Sequence, residues 1–157
     1  MQQHSIKVLR WSLVLILLPA CTANTHQAGV TDNFTPGLGE IMAMSATRHA
    51  KLGLAGQAQN WELAAYEVDE LLEGFEDAVK YHPTHKEIKR PLTELIPEYM
   101  DQPLKELEQA VKNKNSQAFS AGYDNLTAAC NACHQATDFG FNRVIRPNFN
   151  PFSNQQF

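Results

Sequence analysis

The sequence predicts an all-α protein, an antiparallel up-down-up-down four-helix bundle with an irregular C-terminal tail. Apolar residues recur every three to four positions in four stretches between residues 35 and 138, as on the buried face of a helix. Short polar segments separate these stretches, which favours antiparallel neighbours. No stretch alternates apolar and polar residues as a strand does. The 157 residues are therefore expected to form one helical domain, followed by a tail over residues 139–157.

Residues 1–20 have the pattern of an export signal. Lys7 and Arg10 precede an apolar run over residues 11–18, and no acidic residue lies among these first twenty. The run is too short for a membrane-spanning helix, because about 20 apolar residues are needed. We expect this segment to direct the chain out of a bacterial cytoplasm.

The export signal ends at a candidate lipid-attachment site. Residues 18–21, Leu-Pro-Ala-Cys, resemble the cleavage box of bacterial lipoproteins, in which the cysteine becomes the lipidated first residue. Cleavage near Ala20 without lipidation is the alternative. Thr22 stands where an aspartate would retain a lipoprotein at the inner membrane, so the resemblance implies an outer-membrane anchor at Cys21. The polar residues that follow, 21–34, are predicted to form a flexible tether.

The first two helices have clear end signals. Thr35 followed by Pro36 predicts the start of the first helix, which is expected to end near Gly56. Asn60 is the expected N-cap of the second helix, whose apolar repeat is the most regular in the chain. Pro83 ends that helix, because the residue before a proline is pushed out of the α region.

The third helix is expected to start at a capping box made by Thr84 and Glu87 and to run to Lys112. Prolines within it predict a kinked or segmented helix, because each one removes a backbone hydrogen bond. These prolines are Pro91, Pro97 and Pro103.

The fourth helix is expected to start at Asn115 or Ser116 and to end at Gly140. The tail beyond it is rich in Asn, Pro and Phe. Its aromatic residues are too apolar for a free tail, so we expect them to pack over the bundle or over the edge of a bound haem. They include Phe139, Phe141, Phe149 and Phe152.

The strongest functional signal is Cys130-Asn131-Ala132-Cys133-His134, in the fourth helix. Two cysteines separated by two residues and followed at once by a histidine form the attachment signature of a c-type haem. The thiols bond to the vinyl groups of the porphyrin, and the histidine becomes the proximal axial ligand of the iron. Positions i, i+3 and i+4 share one helix face, so Cys130, Cys133 and His134 point the same way. We expect one covalent haem c.

Two other interpretations of the cysteine pair fit less well. A structural zinc site needs further ligands at matching spacing, and the sequence has no second cysteine pair and no His-x3-His. A thioredoxin-type redox pair lies in a βαβ unit, which this helical chain lacks. With Cys21 assigned to lipid and two cysteines to haem, none of the three cysteines remains for a disulfide.

The distal axial ligand is assigned from helix geometry. His134 lies about 28 Å along the fourth helix, and the antiparallel first helix brings Met42 to a similar height. Met42 is therefore the expected distal ligand. His49 is the alternative ligand if the first helix slides by about 10 Å, and otherwise a hydrogen-bonded core histidine. Met44 is assigned to core packing.

The charge of the chain limits its partners. A net charge of −4 argues against nucleic acid and favours small molecules, haem or other proteins. Arg48 and Lys51, on the first helix, are candidate contacts for the haem propionates. Solvated surface positions are the alternative for both side chains.

The haem motif in the last helix resembles that of the class II cytochromes c of the cytochrome c-prime type. These are exported four-helix bundles with Cys-x-x-Cys-His near the C-terminus and a distal residue from the first helix. The resemblance covers roughly residues 35–138 and assigns roles only within the motif at 130–134. Residues 135–138 lack the aromatic-Arg pair of many members, and the chain continues to Phe157 where the family usually stops. The lipoprotein signal is also unusual for a soluble carrier.

The expected function is electron transfer in the bacterial periplasm, without enzymatic activity. An anchor at Cys21 would hold the protein near redox partner proteins at the membrane. One alternative is a five-coordinate binder or sensor of nitric oxide or carbon monoxide. A peroxidase-like enzyme is a third possibility, which rests only on the neighbouring Arg48 and His49. Class II bundles often dimerise through helix faces, so the resemblance also allows a homodimer.

Overall fold

Four α-helices make up most of residues 34–157, the part of the chain that the computed structural model describes. They are α1 (Leu38–Gln57), α2 (Trp61–Tyr81), α3 (Leu92–Lys112) and α4 (Ser116–Ala136). Within the described residues there is no strand, only an isolated bridge between His85 and Ile88. The predicted all-α class with four helices is confirmed. The predicted export signal and Cys21, and the predicted tether up to residue 33, lie outside the described residues.

The helices pack as a bundle around one apolar core. α1 and α3 each contact both α2 and α4. Each helix contributes a leucine that is at most 2% exposed, namely Leu52, Leu71, Leu107 and Leu126. Burial of one such side chain stabilises the fold by about 1.5–3 kcal/mol. None of the helices in residues 34–157 has both the length and the apolar content to cross a membrane.

α1 approaches α4 closely at Gly56, where there is no side chain. A Cβ atom at Gly56 would lie 1.9 Å from a ring carbon of Phe119, so this approach requires glycine. Two turns earlier on α1, His49 Nε2 lies 2.8 Å from Thr127 Oγ1. Contacts therefore move towards the start of α4 as the position on α1 increases.

The first helix starts later than expected. The predicted cap at Thr35 is wrong, because Gly37 is the N-cap and Leu38 is the first helical residue. The Glu40 carboxylate accepts a hydrogen bond from the Gly37 backbone N–H. This bond satisfies one donor group, as a cap at Thr35 would have done for a longer helix.

The asparagine caps of α2 and α4 are confirmed. Asn60 Oδ1 accepts a hydrogen bond of 3.2 Å from the backbone N–H of Leu63. Asn115 Oδ1 accepts one of 3.0 Å from the N–H of Ala118. Both side chains bond to the third residue beyond them, which is the usual geometry of an N-cap.

The predicted start of α3 at Thr84 is wrong. The helix begins at Leu92, with Pro91 as its N-cap. The chain forms turns up to Pro91, and a proline is tolerated at the start of a helix because its missing N–H would have no partner within the helix. From Leu92 onwards α3 runs unbroken to Lys112, with Pro97 and Pro103 inside it. The predicted segmentation is therefore also wrong, and the kink that was the other expectation stays a prediction.

α4 ends earlier than the predicted Gly140. Its last residue is Ala136, and Asp138 adopts the left-handed conformation with φ of 66°. The Phe139 N–H donates a hydrogen bond of 2.8 Å to the His134 carbonyl, and the Asp138 N–H bonds to the carbonyl of residue 135. This pair of bonds is a Schellman motif, which reverses the chain at once. The tail therefore turns back along α4.

The aromatic residues of the tail have different surroundings. Phe139 and Phe141 line the cavity described below, although Phe141 is 78% exposed. Phe149 is 69% exposed. The ring centroids of Phe152 and Phe157 are 5.9 Å apart, and Phe157 packs against the core.

Candidate functional site

A cavity of about 840 Å³ brings the haem motif together with α1. Its walls include Cys130, Cys133 and His134 from α4, and Met42 and His49 from α1. The remaining walls are mainly apolar residues of α1, α2, α3 and the tail. Ligand sites of proteins occupy about 300–1,000 Å³ and are mostly apolar, so this cavity has the size and character of a cofactor site.

The two motif cysteines are free, half-buried thiols. Because Cys133 follows Cys130 by three residues on α4, both lie on the helix face that borders the cavity. Burial raises the pKa of Cys130 to about 11, and the neighbouring Cys133 thiol adds to that effect. Burial also raises the pKa of Cys133. Both groups are therefore neutral thiols at physiological pH.

His134 is held in one orientation by the tail. Its Nδ1 lies 2.6 Å from the backbone carbonyl oxygen of Asn142. A carbonyl oxygen can only accept, so Nδ1 carries the proton and donates it. In the neutral imidazole with its proton on Nδ1, the other ring nitrogen, Nε2, is the acceptor that can bind a metal ion.

The two methionines of α1 differ in position. Met42 is half-buried and lines the cavity, whereas Met44 is 55% exposed and is not among the lining residues. The exposure of Met44 contradicts its assignment to the core, because its side chain lies on the outer face of α1. Met42 as an iron ligand stays a prediction.

Two further residues with ligand chemistry line the cavity, Met100 of α3 and His85 of the turn before it. Met100 is only 4% exposed. Neither residue was among the ligands expected from the sequence. The proline at 91, read as the start of α3, would have indicated that His85 lies in a loop free to border the cavity.

His49 is a buried histidine with both ring nitrogens in hydrogen bonds. The Thr127 hydroxyl donates to the Tyr123 carbonyl, so it accepts the proton of His49 Nε2 over 2.8 Å. His49 Nδ1 lies 3.0 Å from the Tyr123 hydroxyl, which also donates to the His49 backbone carbonyl over 2.9 Å. Burial lowers the pKa of His49 to about 4, and the positive charge of Arg146 adds to this effect. His49 thus stands as a neutral, hydrogen-bonded side chain, which was the alternative to its role as a ligand.

The buried His49 makes stability depend on pH. Its folded pKa of about 4 lies below the ordinary histidine value of 6.5, so the unfolded chain binds the proton more readily. The stabilisation is present above pH 6.5 and is lost as the pH falls towards 4, by about 2–3 kcal/mol. We expect His49→Gln to remove this loss, measured as the change in unfolding free energy between pH 7 and pH 4.5. Equal losses in both proteins would contradict the assignment, since other titrating groups such as Glu67 are common to both.

The two candidate propionate contacts on α1 have other partners. Arg48 forms ion pairs with Glu70 at 2.5 Å and with Glu67 at 3.5 Å. Lys51 Nζ lies 5.4 Å from the ring centroid of Phe152. Neither Arg48 nor Lys51 is among the residues that line the cavity. Their contact with the haem propionates stays a prediction. It would require each side chain to leave its present partner for a propionate.

Arg143 is a cation that the sequence did not single out. It is exposed and lines the cavity, and the lining residues in the described part of the chain include no Asp or Glu. Its signal in the sequence was weak, because Arg143 lies in the irregular tail. Only the reversal of the chain after α4 brings it to the motif.

Comparisons with known proteins add no assignment. No protein-family model, curated protein or solved structure matches this chain. Among residues 34–157, no group of three or more His, Cys, Asp and Glu side chains is arranged to hold a metal ion. The argument for function therefore rests on the residues around the cavity.

Proposed function

We propose that the protein is a c-type haem protein that transfers electrons in the bacterial periplasm, and that it is not an enzyme. The observation that carries the proposal is the motif at 130–134, whose two thiols and imidazole border a mostly apolar cavity. A bound haem c supplies one-electron chemistry through its iron. The chain itself supplies the attachment points, the axial ligands and the low-polarity surroundings.

The residues around the cavity fit a covalent haem. Cys130 and Cys133 supply the two thiols, one helical turn apart, and His134 supplies an imidazole with Nε2 available to the iron. Apolar walls suit the porphyrin face, because burying apolar surface is favourable. Arg143 can pair with a propionate carboxylate at the exposed edge.

Met42 is the proposed distal ligand, in an up-down-up-down bundle. The pairing of His49 with Thr127 and of Gly56 with Phe119 supports antiparallel α1 and α4. His49 lies opposite Thr127, and Met42 is seven residues before His49, as Thr127 is before His134. Seven residues span about 10 Å of helix, so Met42 stands at about the height of His134. A thioether opposite an imidazole raises the reduction potential relative to two imidazoles.

The alternative is a five-coordinate binder or sensor of nitric oxide or carbon monoxide. It is favoured by the two hydrogen bonds that hold the His49 ring, because they keep that imidazole from the iron. In this case Met42 remains a wall of the cavity. The sixth site is then open to a small gas.

The spin state of the iron separates the two candidates. We expect the purified holoprotein to be low-spin and six-coordinate by optical and EPR spectroscopy, as a Met42 ligand requires. Met42→Ala should convert it to a high-spin form that binds carbon monoxide. His49→Gln is the matched control on the same helix and should leave the spectrum unchanged.

Other results would change the assignment. A wild-type protein that is high-spin and binds carbon monoxide supports the gas-binding function. Conversion by His49→Gln, with Met42→Ala unchanged, would transfer the ligand to His49.

The proposal includes an export signal, a lipid anchor at Cys21 and an outer-membrane location, where redox partner proteins meet the carrier. Residues 1–33 lie outside the described part of the chain, so these assignments stay predictions from the sequence. The four-helix arrangement supports the resemblance to the class II cytochromes c. The tail that borders the cavity is the departure from that class with the clearest consequence.

A further inference from the structure

The tail returns along α4 as a segment of residues 139–146, which we call the strap. The Asn142 N–H donates to the Phe139 carbonyl over 2.8 Å, which closes a turn at the start of the strap. Asn142 meets His134, Val144 meets Asn131, and the strap ends at Arg146. These contacts move back along α4, away from its C-terminus.

Asn131, between the two motif cysteines, pairs with the backbone of Val144. Its Oδ1 accepts a hydrogen bond of 2.8 Å from the Val144 N–H. Its Nδ2 donates to the Val144 carbonyl over 2.9 Å and to the Thr127 carbonyl over 2.9 Å. The side-chain amide of Asn131 thus pairs with both backbone polar groups of Val144, and its bond to the Thr127 carbonyl fixes it to α4.

The far end of the strap is also attached. Arg146 Nη2 lies 2.6 Å from Asp124 Oδ1 and 3.0 Å from the Ser120 carbonyl. Its guanidinium lies 4.8 Å from the ring centroid of Tyr123. The strap is thus held at Val144 by Asn131 and at Arg146 by α4. The Asn142 carbonyl therefore has little freedom to leave His134 Nδ1.

We propose that Asn131 is a positioning residue for the axial histidine: by holding Val144 it keeps the Asn142 carbonyl on His134 Nδ1. This inference rests on the proposed haem function. A hydrogen bond from Nδ1–H makes an imidazole a stronger donor to a metal ion and fixes its tautomer. Stronger donation favours Fe(III), so the strap lowers the reduction potential. Asn131, which lies between the two motif cysteines, thereby influences the chemistry of the site.

The test replaces the amide and leaves the ligands in place. We expect Asn131→Ala to speed hydrogen exchange of the Val144 amide about tenfold in the holoprotein, because its acceptor is gone. The equilibrium constant for reduction should rise by about tenfold, which is about 59 mV for a one-electron couple. The NMR signal of the His134 Nδ1 proton should exchange faster with water.

Asn125→Ala is the matched control, because Asn125 is an exposed asparagine on the same helix. It should leave the Val144 exchange rate and the potential at wild-type values. If Asn131→Ala does not fold, Val144→Pro, which has no amide N–H, removes the same hydrogen bond from outside the helices. It should raise the potential and speed exchange of the His134 Nδ1 proton.

The outcomes distinguish this inference from the function on which it rests. A holoprotein whose potential and Nδ1 proton are unchanged, although the Val144 amide is released, overturns the role of Asn131. An unchanged Val144 exchange rate overturns the strap contact itself. A protein that carries no covalent haem overturns the proposed function, and the inference with it.

Discussion

Replacing Cys130 and Cys133 together by alanine is expected to abolish covalent attachment of haem. Each thioether requires the sulfur atom of one of these thiols, and alanine offers none. The measurement is a haem stain after denaturing electrophoresis, on protein matured in a bacterial host with c-type cytochrome assembly. Wild-type protein should stain, and the double variant should not.

Cys21→Ser is the matched control for this experiment. It removes the third cysteine of the chain, which is not part of the motif, and should leave the stain at wild-type intensity. The single variants Cys130→Ala and Cys133→Ala each keep one thiol and should retain some stain. A stain that survives in the double variant, or that is missing from the wild type, would contradict haem attachment.

The largest expected loss of stability comes from Gly56→Ala. The added Cβ would lie 1.9 Å from Phe119 Cε1, well inside contact distance. The Phe119 ring is 2% exposed, and its centroid lies 5.9 Å from those of both Trp61 and Tyr123, so it has little room to move. Overpacking of this kind costs about 1–3 kcal/mol, and occasionally more. We expect a net loss of up to about 2 kcal/mol after the gain of about 1 kcal/mol in helix propensity.

Gly39→Ala, on the same helix, is the control. A Cβ at Gly39 would have no heavy atom within 4 Å, so this change should stabilise the protein by up to about 1 kcal/mol. Urea titration of both variants gives the comparison through the midpoint and the slope. If Gly56→Ala is as stable as Gly39→Ala, the close approach of α1 to α4 is wrong.

Several features could be read from neighbouring residues alone. Asn60 and Asn115 cap the helices that follow them, because a side-chain oxygen reaches a donor only three residues away. The start of α3 could not be read as reliably, because the capping signal at Thr84 competed with the later proline at 91. In the structure the helix starts after Pro91 but continues through Pro97 and Pro103, so a proline alone does not decide where a helix begins.

The candidate site also has one part that the sequence predicts and another that it does not. The sequence determined that residues 34–157 form four helices and that the last one carries the motif at 130–134, because periodicity and spacing are local properties. Tertiary structure decided what surrounds that motif. Arg48 lies among acidic residues instead of on the cavity, and Arg143, Met100 and the Asn142 carbonyl border the site. These contacts join residues distant in the chain, and no local pattern encodes the way a tail folds back.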